Sequence, residues 1–480
     1  MFFFDIVFSV CQETLPRDAI ARERKKILFV YSWHRQGILW PPATISLFSL
    51  LLQPKILTMT AQEVEIMAPV GSYESLMAAI QGGADSVYFG IGNLNMRSRS
   101  SKNFTLDDLV KISAICHENN IRSYITLNTE IYDDDLSLMR KIVDTARENN
   151  ITAIIASDQA VIQYAFQKGV EIHISTQSNV CNIEAVKFYA HFADVMVTAR
   201  ELRIDQVKAI TTAICEQDIR GPKGELIQIE IFAHGALCMA VSGKCYLSLD
   251  NLNSSANRGA CLQPCRRKYT VKDTESDLEL EVDGKYIMSP KDLNTVSFLD
   301  KILDAGVRVL KLEGRGRSPE YVKIVSRTYR EAVNAWFEGN YTQENIDRWN
   351  TELSGVYNRG FWDGYYLGHK TGEWTEEYGN QASERKIYIG KITNYYSKIG
   401  VAELKLETHS LEIGDRILAI GNTTGVYEDT LSEIRLDLEP VKRVKKGDIC
   451  SFPVTSVLRR GDKLYKVVKA DSSVPNLVQS

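Results

Sequence analysis

Residues 65–90 read EIMAPVGSYESLMAAIQGGADSVYFG. An apolar run, Glu65–Val70, leads into a stretch of helical period, Tyr73–Gln81, and then into a second apolar run, Ser86–Gly90. Strand, helix, strand at this spacing is the unit of a parallel sheet covered by helices. The unit recurs. Further strand-like runs are Arg122–Leu127, Ala153–Ala156, Glu171–Thr176, Val195–Thr198, Ile227–Phe232 and Val307–Glu313, with helical stretches such as Leu106–Glu118 and Leu136–Glu148 between them. Eight such runs predict an α/β fold, a (β/α)8-type, TIM-like barrel over residues 59–330. A doubly wound open sheet is the alternative, but no GxGxxG follows the first strand to mark a dinucleotide site.

In such a barrel the chemistry sits just beyond the C-terminal ends of the strands. Those positions are polar here: Arg97 and Arg99, Asn128, Gln177 and Asn179, Arg200 and Glu201, His234, then Glu313, Arg315 and Arg317. Any one of them alone reads as an ordinary loop residue. Their accumulation at one predicted face marks a site.

After the barrel, residues 331–384 read as a helical and aromatic connector that includes the Gly-punctuated Tyr357–Tyr366. Residues 385–470 change to short alternating strands separated by Gly-Asp turns (Gly414–Asp415, Gly447–Asp448, Gly461–Asp462), which predicts a small antiparallel β-barrel. Its basic runs, Lys442 to Lys446 and Arg459 to Lys463, read by default as a solvated face and more sharply as an RNA-backbone patch. Residues 471–480 are a tail.

The chain of 480 residues carries a formal net charge of −4, so any RNA contact must rest on local basic patches. Its hydrophobic content of 44% and charged content of 25% are those of a globular protein. Nine cysteines, an odd and mostly scattered set, argue against a disulfide scaffold and for a reducing, cytoplasmic setting. Residues 1–58 share no pattern with the rest. Their apolar start is interrupted by Asp5, and the run Ile45–Leu52 is too short to span a bilayer. The expectation is an extension, disordered or a misplaced start, and no membrane segment.

Four cysteines fall in one stretch: Cys238, Cys245, Cys261 and Cys265. Four converging thiolates hold a soft metal centre, and Gly235, Gly243 and Gly259 let the segment fold back to bring them together. The intervals do not match a zinc ribbon or a ferredoxin, so spacing leaves zinc and an iron–sulfur cluster both open. No HExxH is present, since His117–Glu118 is followed by Asn119, Asn120 and Ile121, and no GxSxG is found.

The stretch Glu230–Ser248 resembles, position by position, the signature of the collagenase-like family named peptidase U32, at Glu230, Phe232, Gly235, Ala236, Leu237, Cys238, Gly243, Cys245, Leu247 and Ser248. Ala68–Ser72, Asn257–Cys261, Ser289–Leu293 and Lys311–Arg315 are further family-like phrases. The resemblance covers about residues 63–470 and is strongest to the tRNA hydroxylation protein P branch. It implies a tRNA uridine 5-hydroxylase acting at the wobble position, with prephenate as co-substrate and a 4Fe-4S cluster on Cys238, Cys245, Cys261 and Cys265. On that reading Asn128 and Gln177 would hold the base, Arg97, Arg200 and Arg315 the carboxylates of prephenate, and His234 or Glu313 would move the proton. Two alternatives stand beside it: a peptidase using Cys238 with His234, and a zinc-containing, non-catalytic RNA-binding protein.

Overall fold

The computed structural model describes residues 59–99, 103–269, 288–369, 372–377 and 379–471. The expectations for residues 1–58 and for the tail beyond 471 lie outside them. Seven parallel strands come first: β1 Glu65–Pro69, β2 Ser86–Gly90, β3 Arg122–Leu127, β4 Ala153–Ala156, β5 Glu171–Ile174, β6 Val195–Val197 and β7 Gln228–Ala236. A short β8, Asp292–Asn294, precedes β9, Val309–Leu312. Each strand from β1 to β7 pairs in parallel with its neighbour. β9 passes over β8, pairs in parallel with β7, and meets β1 at Glu65↔Val309. The ring is therefore closed on eight strands, and the open-sheet alternative falls away. β8, which the sequence reading did not anticipate, lies antiparallel to the end of β7 and carries β10, Phe361–Trp362, on its far edge.

The helices α1 Tyr73–Gln81, α2 Asp108–Glu118, α3 Leu136–Glu148, α4 Gln159–Gln167, α5 Ile183–Tyr189 and α6 Ile204–Glu216 alternate with the strands. Their apolar stripes explain where they lie. α3 buries Met139, Ile142, Val143 and Ala146, one face at helical spacing. β1, β2, β4 and β6 are buried at every residue, as expected where one face meets helices and the other the barrel interior. That interior holds Met67, Tyr88, Tyr124, Ile155, Val195 and Val309.

Between β7 and β8 runs the cysteine segment, with α7 Leu247–Leu252 at its centre. The segment is tied down by side-chain hydrogen bonds. Leu262 N donates to Ser248 Oγ (3.1 Å), and Arg266 donates to the Leu237 and Pro290 carbonyls (2.7 and 2.6 Å). α8 Leu299–Asp304, α9 Pro319–Phe337 and α10 Gln343–Ser354 finish the outer layer.

The C-terminal module is antiparallel, as expected. In chain order its strands are β11 Glu384–Tyr396, β12 Val401–Leu406, β13 Ser410–Glu412, β14 Arg416–Gly421, β15 Gly425–Thr430, β16 Arg435–Leu436, β17 Glu439–Pro440, β18 Arg443–Lys445, β19 Ile449–Pro453 and β20 Lys463–Lys469. They form an eight-stranded sheet, β15-β14-β20-β11-β12-β19-β16-β17, and a ribbon, β13-β18, around a core that includes Ile389, Leu404, Phe452 and Leu464. The module is latched to the barrel. Gln81 of α1 donates to the Thr424 carbonyl and accepts from Val426 N, each at 2.9 Å, while Lys323 of α9 donates to the Val426 carbonyl at 3.0 Å.

Candidate active site

At the C-terminal ends of the barrel strands lies a cavity of about 250 Å³. Arg97, Asn128, Gln177, Arg200, Glu313 and Arg315 all line it, and so do Cys238, Cys245, Cys261 and Cys265. These positions span more than two hundred residues of sequence. The barrel unites them because each follows the end of a parallel strand or belongs to the segment folded over the mouth.

Glu313 is the anionic centre. Arg97 Nη2 donates to its Oε1 at 2.7 Å. Burial alone would raise the Glu313 carboxyl, but Arg97, Arg317 and Arg200 outweigh it and hold the group below the usual carboxylate range. Arg315 is buried and donates to Thr126 Oγ1 at 2.9 Å; burial brings its guanidinium down to about 10. Arg200 lies over the Phe232 ring, 3.9 Å from its centroid, and its Nε is buried without a hydrogen-bond partner among the described residues. Asn128 and Gln177 form an amide corner. Asn128 Nδ2 reaches Ser175 Oγ (3.3 Å) and Gln177 Oε1 (3.4 Å), while its Oδ1 accepts from Met96 N (3.3 Å).

The four cysteines are free thiols in the cavity lining. Burial first, then the charge of Cys238, Cys261 and Cys245, pushes the Cys265 thiol up to about 11, and Arg266 opposes them. The thiols therefore lie within electrostatic range of one another. Among the described residues no three Cys, His, Asp or Glu groups converge tightly enough to grip a single ion.

His234, expected to move a proton at the site, is buried and is not among the residues that line the cavity. Glu230 and Phe232 alternate inward along β7. A bulge then inserts Ala233 between the pairs Phe232↔Lys311 and His234↔Leu312 and breaks the alternation. The imidazole packs instead among the rings of Tyr321, Tyr329 and Phe361, with centroids 6.0, 5.6 and 5.5 Å away. Burial, and secondly Arg317, drives its basicity down to about 3, so it stays neutral.

Arg317 and Arg266 line the cavity as well, and so do two residues that were not site candidates, Lys311 and Arg359. Arg317 and Arg359 approach Asp292 of β8 at 3.7 and 3.3 Å, and Arg317 stacks 3.6 Å from the Tyr357 centroid. Lys311 belongs to the same phrase as Glu313 and Arg315, Lys311–Arg315, which was signal enough. Arg359 reaches the site through β10, and nothing local announces that. In all, seven cationic side chains and one carboxylate line the cavity, so it suits an anionic guest.

The model of Peptidase family U32 matches residues 71–376. The chain belongs to this family. Among U32 relatives, a collagenase of Porphyromonas gingivalis is 57% identical over 413 residues, 86% of this chain and 100% of that protein. The tRNA hydroxylation protein P of Helicobacter pylori is 32% identical over 316 residues, 64% of this chain and 72% of that protein. The 23S rRNA 5-hydroxycytidine C2501 synthase of Escherichia coli is 32% identical over 283 residues, 59% of this chain and 41% of that protein. U32 thus includes proteins named for RNA hydroxylation, at lower identity than the relative named collagenase. Among the described residues no helix is long and apolar enough to cross a membrane.

Proposed function

We propose that this U32 protein is a tRNA-modifying hydroxylase, forming 5-hydroxyuridine at the wobble position with prephenate as co-substrate and a 4Fe-4S cluster on Cys238, Cys245, Cys261 and Cys265. One observation carries the reading: a strongly cationic cavity with an amide corner has four free thiols in its lining. Two carboxylates on one small molecule call for forked guanidinium partners, and Arg97, Arg200 and Arg315 face the same space. A uracil ring turned out of the anticodon loop presents donors and acceptors along one edge, which Asn128 and Gln177 can meet. The cluster would supply one-electron chemistry beside the substrate. Glu313 is ionised while Arg97 holds it. When a dianion draws Arg97 away, the carboxylate becomes a stronger proton acceptor next to the ring carbon. In the C-terminal module Arg443, Lys445, Lys446 and Lys466 line a second, surface hollow that suits an RNA backbone.

A peptidase is favoured by the name of the 57% identical relative. Cys238, however, has no base: His234 is directed into the protein, and no histidine lines the cavity among the described residues. The deciding experiment is mass spectrometry of tRNA nucleosides from a strain lacking the gene. Loss of 5-hydroxyuridine and its derivatives, restored by the wild-type gene and not by a Cys265→Ser allele, is the expected result. An unchanged nucleoside profile overturns the reading.

A further inference from the structure

Below the cavity the barrel interior holds a row of charged side chains that continues inward from its lining. Lys311, on the cavity floor, contacts Glu230 Oε1 at 2.6 Å. The other oxygen of Glu230, Oε2, faces His173 Nδ1 at 3.7 Å. His173 Nε2 faces Glu171 Oε1 at 3.4 Å, and Glu171 Oε2 is paired with Lys223. Glu230 and His173 are 0% and 1% exposed, whereas the Lys223 side chain is 54% exposed. Glu171 opens β5 and Lys223 lies in the turn before β7, so the row ends at the N-terminal mouth, opposite the cavity.

We propose that Lys311, Glu230, His173 and Glu171 form a proton path from the cavity floor to solvent at the opposite mouth of the barrel. The inference rests on the hydroxylase reading of the cavity. Replacing a ring hydrogen by hydroxyl requires that hydrogen to leave as a proton, and an RNA seated on the upper mouth closes the direct way to water. Each hop breaks one N–H or O–H bond and makes one. The Lys311 ammonium first gives a proton to Glu230, and the neutral amine left behind takes up the proton released in the cavity. Glu230 passes it to His173 Nδ1, His173 releases its Nε2 proton to Glu171, and Glu171 gives it to water. Rotation of the imidazole restores the row.

A purely structural charge cluster would be fully hydrogen-bonded, because a half-satisfied buried network costs stability. This row is not: His173 Nδ1 and Glu230 Oε2 are both buried without a hydrogen-bond partner, and they point at each other. The groups around His173 are Glu171 from its own strand, Glu230 from β7, and Tyr124 from β3, whose ring centroid is 4.5 Å away and whose hydroxyl donates to Glu65 of β1. Arg122 pairs with the same Glu65 at 2.7 Å. Burial would lower the His173 value, but the two carboxylates raise it to about 8, within reach of a working pH.

The test uses the full chain with tRNA and prephenate, comparing wild type with Glu171→Gln, Lys223→Met and Lys223→Arg. Glu171→Gln is expected to slow turnover about tenfold or more and to raise the solvent deuterium isotope effect, with KM for tRNA unchanged. Lys223→Met, a surface change that spares the core, moves the acid limb of the rate profile upward, since Glu171 loses its cation. Lys223→Arg keeps the wild-type profile. Wild-type rates, isotope effects and pH profiles in both Glu171→Gln and Lys223→Met overturn the path alone. A wild-type chain that makes no hydroxylated uridine overturns the reading of the cavity and the path with it.

Discussion

The pairing of Arg97 with Glu313 sets the charge state of the cavity, and each partner depends on the other. Removing Arg97 strands a carboxylate that is 8% exposed, leaving Arg317 and Arg200 to offset it. Arg97→Met is expected to cost about 3 kcal/mol in urea unfolding and, on the proposed function, to weaken prephenate binding. Arg97→Lys, which keeps the charge and loses the fork, should fall between the two. His234 makes the opposite test. His234→Phe keeps the aromatic packing and should leave product formation intact, whereas His234→Ala should lose about 2–4 kcal/mol to the cavity it opens. A His234→Phe protein that folds and makes no product would restore the histidine to the chemistry. Arg97, Asn128, Gln177, Arg200, Glu313 and Arg315 could be found in the sequence because strand ends in a barrel face one mouth. His234 was misplaced because period-two alternation carries no sign of a one-residue bulge.

At the scale of elements, the turn from β7 into the cysteine segment and the turn out of β9 are packed backbone to backbone. Gly235 sits at φ +101°, and a Cβ there would collide with the Glu313 carbonyl oxygen. Gly235→Ala therefore combines a disfavoured backbone with a clash against the backbone of Glu313. It should cost about 1–3 kcal/mol and depress product formation more than substrate binding, measured by thermal unfolding and by separate kcat and KM values. The barrel strands were legible because burial on both faces leaves them as uninterrupted apolar runs, as β1, β2, β4 and β6 show. β8 was not legible. Three residues, Asp292 to Asn294, carry no period, and they become a strand only because the end of β7 offers them an edge. Asp292 and Arg359 enter the site with that added edge, so the same gap in the reading hid both.

For the molecule as a whole, two buried histidines tilt stability in opposite directions with pH. The folded value of His173, about 8, lies above the ordinary 6.5. Its contribution is full below 6.5 and fades as pH rises through 8. The folded value of His234, about 3, lies below 6.5. The unfolded chain binds that proton first, so stability falls as pH drops from 6.5 toward 3. Urea midpoints plotted against pH should peak near 6.5 for this pair, with His173→Gln flattening the alkaline slope and His234→Phe the acid one. A curve unchanged by either substitution would contradict the placement of both rings. The antiparallel module was legible from its Gly-Asp turns, whereas its mounting on the barrel was not, since Gln81 reaches Thr424 and Val426 only in three dimensions. Closure of the ring by β1 against β9 has a further consequence during synthesis. On the ribosome, the cysteine-bearing stretch emerges before residues 309–317, so its thiols leave the exit tunnel ahead of Arg315 and Arg317, two of the arginines that will later share the cavity. Any inorganic cargo loaded at that stage meets an unfinished vessel, and the last strand of the ring to be made is the one that seals it.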